Sequence, residues 1–268
     1  MNRINHLIFI FLLSCILPLL AFAKDIPKLA PAQLQSIGEK IYQNETGSKA
    51  EYLIAWNSGE AFASLGLGHF IWFPKNISSP FTETFPSLLQ YFEEQNVAVP
   101  AWLQQQQYCP WQTKQEFNAA KNSEQMQELR SLLSSTFEHQ VAFIYQRMRK
   151  SLPLMLAELD NAETQGLVTA RFHALAATEL GMYSLIDYVN FKGEGIADTE
   201  KYNNQGWGLL HVLLNMPIDS QNQHMAFTQA CDAMLTQRVK NSPQKNIEKH
   251  WLAGWRNRCG TYSDASFH

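Results

Sequence analysis

Four side chains within 25 residues, Glu45, Glu60, Ser64 and His69, have the types and spacing for acid–base chemistry at one site. A carboxyl group poised beside a groove can protonate the oxygen of a glycosidic bond. A second carboxylate or a hydroxyl can then hold the water that completes the cleavage. Glu45 lies in Asn44-Glu45-Thr46-Gly47, where a helical pattern ends. A negative charge at a helix C-terminus is mildly unfavourable. That field, with partial burial, predicts a raised pKa, which suits a proton donor at neutral pH. The plain competing reading is an exposed glutamate at a helix end, which describes most glutamates.

The elements that must position these groups can be read from periodicity. Leu34, Ile37 and Ile41 recur at helical spacing after Pro31, which predicts a helix from Pro31 to Asn44, stopped by Thr46-Gly47-Ser48. Strands are expected over Tyr52–Trp56 and Phe62–Phe73, around a turn at Asn57-Ser58-Gly59. Within Ser64-x-Gly66-x-Gly68-His69, strand alternation would put Ser64 and both glycines on one face and His69 on the other. Two glycines in a row on one face let a polymer approach the backbone closely. His69 is then placed to buttress Glu45. The rest of the chain predicts helices. One long amphipathic helix carries Leu129 to Met148 and is interrupted or restarted at Pro153. A buried helix spans Leu167 to Val189, with Gly181 as a weak point. Later helices begin near Trp207, Phe227 and Ile247. The expected fold is α+β and predominantly α-helical, one α-rich domain over 24–268 with a small β-hairpin after its first helix.

A second polar constellation runs from Asn190 to His211. It contains Glu194, Glu200, Tyr202, Asn203, Gln205 and Trp207 between glycines. Such side chains can hydrogen-bond sugar hydroxyls and acetamido groups. The equally weighted alternative is a helix-entry loop whose glycines allow tight packing. Trp56 and Trp207 sit nearest glycine-rich loops and are the better sugar-stacking candidates. The other tryptophans read as core.

The first segment resembles phage-type lysozymes and the lysozyme-like superfamily. There, a helix ends in a catalytic Glu and a Gly, and a hairpin closes with Thr-x-Gly-x-Gly-His. The matching residues are Glu45, Gly47, Ser64, Gly66, Gly68 and His69. Ser64 replaces the threonine, the spacing from Glu45 is longer, and Ser58 stands where the family has an Asp. Glu60 is the nearest acid that could substitute. Gly206-Trp207-Gly208-Leu209-Leu210-His211 is similar to the Gly-Leu-Met-Gln signature of goose-type lysozymes and lytic transglycosylases, with Glu194 matching their acid. The resemblance implies a lysozyme-like fold and cleavage of β-1,4 linkages in peptidoglycan by a muramidase or lytic transglycosylase. It implies Glu45 as general acid and Glu60 with Ser64 at the water. His69, Trp56, Glu194, Glu200, Tyr202, Asn203, Gln205 and Trp207 would line the substrate site. Glu194 as the acid itself stays open, as do a chitosanase- or chitinase-like hydrolase and a non-catalytic glycan-binding scaffold.

Composition bounds these readings. The chain has 268 residues, 46% hydrophobic and 17% charged, enough for a sizeable core. A net charge of −3 supplies no basic field for nucleic acid. Residues 1–23 read as an export signal: Arg3, an apolar run over Leu7–Leu20, and Ala21-Phe22-Ala23 before Lys24. That predicts a periplasmic or secreted protein with no transmembrane segment in the mature chain. In a minority reading, Leu12-Leu13-Ser14-Cys15 is a lipobox that leaves a lipidated Cys15. Of Cys109, Cys231 and Cys259, the last two are the more plausible disulfide. No metal-ligand spacing, Walker loop, Rossmann fingerprint or nucleophile elbow occurs, so no cofactor or metal is expected.

Overall fold

A computed structural model describes residues 26–77, 79, 81–217 and 220–264. The export segment 1–23 and Cys15 lie outside the described residues. The rest is predominantly helical with a small antiparallel sheet.

Helix α1 (Pro31–Thr46) begins with proline in its first turn and ends on Gly47, whose left-handed φ of 59° lets its N–H reach the Gln43 carbonyl. A 3-10 turn (Ala50–Leu53) leads into β1 (Ile54–Ala55), β2 (Ala63–Leu65) and β3 (Phe70–Trp72). These pair in the order β1-β2-β3, with Ser64 opposite both Ala55 and Ile71. The expected continuous strand across Phe62–Phe73 is therefore broken. Gly66 to His69 form the tight turn of a second hairpin, with φ of 70° at Gly66 and 46° at His69. Strand alternation cannot apply across a turn, so the glycines do not share a face with Ser64.

Helices α2 (Phe85–Glu94), α3 (Ala101–Gln104) and α4 (Lys114–Ala119) follow. The single long amphipathic helix is in fact two, α5 (Glu124–Ser135) and α6 (Phe137–Ala157), broken at Thr136. The Thr136 hydroxyl turns back to the Leu132 carbonyl, and the Gln140 amide takes up the Leu133 carbonyl at 2.7 Å. Helix α6 runs on through Pro153 instead of stopping there. Leu152 and Met155 anchor that turn in the core. The apolar stretch around Gly181 likewise splits into α7 (Ala162–Ala176) and α8 (Glu179–Lys192), with Thr178 capping α8. Gly181 is a point of close approach. A β-carbon there would lie 2.1 Å from the Leu175 carbonyl oxygen.

A two-residue hairpin of β4 (Lys201–Tyr202) and β5 (Gln205–Gly206) turns on Asn203 and Asn204, both left-handed. Helices α9 (Leu209–Asn215), α10 (Gln223–Asn241), α11 (Lys245–Glu248) and α12 (Leu252–Gly260) complete the chain. Helix α1 packs on α6, and α7 on α8 and α9. A disulfide between Cys231 and Cys259 staples α12 to α10, while Cys109 stays free and buried. Among the described residues, no helix is long and apolar enough to cross a membrane.

Candidate active site

The hairpin turn is held from beneath by Gln140, which is fully buried. Its side-chain oxygen accepts the Leu67 N–H at 2.8 Å, and its amide bonds the carbonyl freed at the α5–α6 break. The same break that ends α5 therefore fixes the turn that carries His69. Gly66 leaves room for this oxygen, which would lie 2.3 Å from any β-carbon added there.

That turn, the end of α8 and the loop after it enclose a cleft of about 770 Å³. His69, Asn190, Phe191, Lys192, Glu194, Glu200, Trp207 and Arg238 line it, together with Phe143, Arg147 and Lys150 of α6. Phe81 and Leu154, both more than half exposed, add apolar surface to the lining.

Glu45 stands directly behind this wall. One carboxylate oxygen lies 3.7 Å from His69 Nδ1, and the other is 3.5 Å from the Asn190 amide. Arg258 contacts the second oxygen at 2.6 Å and reaches on to Asp187 with two hydrogen bonds of 2.7 and 2.8 Å. Tyr262 donates to Asp187 at 2.6 Å. Burial by itself would push the Glu45 carboxyl up, but Arg258, His69 and Lys192 outweigh it and hold it below the ordinary carboxylate value. This reverses the raised pKa expected from the helix end. The helix-terminal field is a weak effect next to a guanidinium in contact.

The carboxyl groups on the lining itself differ from one another. Arg147 clamps both oxygens of Glu194 at 2.6 Å. Among the described residues Glu200 forms no ion pair, and it accepts the Gly195 N–H at 2.5 Å. Burial pushes the Glu200 carboxyl up, and the neighbouring Glu194 charge adds to that. Gly193 permits this approach, since a β-carbon there would fall 1.7 Å from a Glu200 oxygen.

Of the side chains expected at a substrate site, the structure brings His69, Glu194, Glu200 and Trp207 to this cleft, with Glu45 behind His69 and Asn190. Glu60 and Ser64 do not line it. Ser64 is buried in the middle strand, 3.4 Å from Glu60, and Glu60 accepts from Asn57. Trp56 is buried against Phe117 and donates its N–H to the Glu60 carbonyl, so its ring serves the core. Tyr202 donates to Glu248, Asn203 tips the small hairpin, and Gln205 accepts from Gln237 and Asn241. Tyr202 and Gln205 hold the hairpin against α11 and α10.

Sequence reasoning had Asn190 and Lys192 only as members of the polar stretch 190–211, with no role of their own, and missed Arg147, Arg238, Asp187 and Arg258. One signal was available. Asp187 is a single acid within the apolar run Leu185-Ile186-Asp187-Tyr188-Val189, and a carboxylate buried there requires a cationic partner. Among the described residues, no group of three or more histidine, cysteine or acidic side chains is placed to hold a metal ion.

No family model matches the chain, and neither curated proteins nor solved structures gave a match.

Proposed function

We propose that the protein is an exported enzyme that cleaves β-1,4 linkages in the glycan of peptidoglycan, working in the cleft between the hairpin turn and the end of α8. One observation carries this reading. Three segments far apart in sequence meet at one cleft, which bears two carboxyl groups in contrasting settings, Glu194 and Glu200. A carboxyl pushed up by burial, Glu200, beside one clamped by an arginine, Glu194, is an arrangement that can divide proton donation from charge stabilisation. Apolar and aromatic side chains beside them suit a sugar ring.

In this reading the proton donor is Glu200, not Glu45. A raised pKa suits a general acid, and Glu200 is the lining carboxyl that burial and the neighbouring Glu194 push up. Glu200 protonates the glycosidic oxygen. The resulting positive charge at the anomeric carbon is stabilised by Glu194, whose position Arg147 sets. The glycosidic bond breaks as the leaving sugar takes that proton, and water or the sugar's own 6-hydroxyl then attacks the anomeric carbon and gives its proton to the Glu200 carboxylate. Glu45, held ionised by Arg258, orients His69 and Asn190 at the cleft wall.

The test is release of soluble muropeptides from purified sacculi. Glu200→Gln should lower it by about a hundredfold or more while the fold is retained. Mass spectrometry of the wild-type products separates anhydro ends, made by internal attack, from reducing ends, made by water. If Glu200→Gln stays active while Glu45→Gln is dead, the donor is Glu45. A second reading is a glycan-binding protein without turnover. The arginine clamp on Glu194 and the ion pair on Glu45 favour it, because both anions are already neutralised. Wild-type protein that binds sacculi and releases nothing would select that reading.

A further inference from the structure

The end of α8 places a lysine amine on the cleft lining with no carboxylate in ion-pair contact among the described residues. Lys192 Nζ lies 4.0 Å from the centre of the Phe191 ring and 3.9 Å from that of Trp255. Among the described residues it has neither a hydrogen-bond acceptor nor a carboxylate within ion-pair distance. The carboxylates nearest it are in contact with arginines, and Glu45 and Glu248 act on it only from beyond contact distance. Glu45 and Asp187 hold Arg258, and Glu248 holds Arg238.

The other charges on the lining are also accounted for. Arg147 is matched to Glu194, Glu200 accepts from Gly195, and Glu83 accepts the Phe73 N–H at 2.6 Å. Lys150, exposed on α6, is a second lining ammonium without a partner among the described residues. On the lining itself four cationic side chains, Arg147, Lys150, Lys192 and Arg238, stand against three carboxyl groups, Glu83, Glu194 and Glu200.

Two aromatic faces stabilise a cation but supply no lone pair to its N–H donors. Burial, with Arg238 and Arg258 nearby, drives the Lys192 amine well below its ordinary value. An incoming anion would relieve both deficits.

We propose that Lys192, assisted by Lys150, forms a subsite for a carboxylate carried by the glycan, so that the cleft selects acidic strands over neutral ones. This rests on the glycan-cleaving reading above. Such a carboxylate has two sources in peptidoglycan, the lactyl ether of a strand stripped of peptide and the peptide stem itself.

Binding would be measured by calorimetry in the Glu200→Gln background, where turnover is suppressed. The ligands are stripped strands, stem-bearing strands and neutral chitotetraose. At least one acidic strand should bind roughly ten- to a hundredfold more tightly than chitotetraose, and the tighter of the two names the source. Lys192→Met keeps the chain length that fills the space between the two rings. It should remove that preference, so that within this variant the acidic strands bind no more tightly than chitotetraose. A ligand-side arm needs no variant: acidic strands with carboxyls converted to amides should bind no better than chitotetraose. If all ligands bind alike and amidation changes nothing, the carboxylate subsite is wrong and the glycan reading stands. If no glycan binds at all, the glycan reading itself fails.

Discussion

The buried network behind the cleft gives the sharpest stability prediction. Asp187 is fully buried and receives three hydrogen bonds, two from Arg258 and one from Tyr262. Asp187→Asn keeps the volume but removes the charge. Arg258 is then left buried with Glu45 as its only carboxylate partner among the described residues. Breaking a buried pair by removing one partner costs about 3–5 kcal/mol, mostly because the remaining charge is stranded. Glu45 retains a 2.6 Å contact with Arg258, which puts the expected loss at the low end, about 3 kcal/mol. For a chain of this size that corresponds to a fall in Tm of roughly 6–12 °C. Thermal unfolding followed by circular dichroism would read it, with the disulfide kept oxidised. The internal control is Asp198→Asn. Asp198 is 93% exposed and pairs with Lys201 at the surface, so its loss should leave Tm unchanged. A cooperative transition for Asp187→Asn within about 2 °C of wild type would refute the reasoning, since that shift is under 1 kcal/mol.

Other predictions follow from single contacts. Gly66→Ala places a β-carbon against the Gln140 oxygen at a left-handed φ of 70°, and should cost about 3 kcal/mol, read as a lower urea midpoint. An unchanged midpoint would show that Gln140 does not pin the turn. Glu45 has a folded pKa below its ordinary value of 4.5, so its contribution to stability is present above that pH. It is lost as pH falls through the folded value. The stability gap between wild type and Glu45→Gln should therefore close on acidification below about 4.5, and a gap that widens would contradict the sign. Burial pushes the Cys109 thiol up to about 12, so a thiol reagent at pH 8 should label it only at the rate of unfolding. Rapid labelling of the native protein would contradict this placement.

Most of the secondary structure was legible because its signals are local. Apolar spacing, Pro31 and Gly47 mark α1, and the strand-forming runs mark the small sheet. The errors have local causes as well. Periodicity ran straight through Thr136 and Thr178, because a helix break hides when both halves keep apolar faces in phase. Pro153 looked like a stop, but the flanking buried side chains hold α6 together across it. The glycine run looked like strand, whereas the positive φ of Gly66 and His69 makes it a turn.

The chain by itself determined that acids, glycines and a histidine cluster near residues 45–69 and 190–211, and that α1 stops within two residues of Glu45. Residue type and short-range spacing carry that much. Only the tertiary structure decided that Ser64 and Trp56 belong to the sheet and core, with Glu60 in the loop beside them, while Glu194 and Glu200 line the cleft. It also decided the character of each acid. A carboxyl's pKa depends on which charges lie within a few ångströms, and Arg258 reaches Glu45 from 213 positions away in the chain.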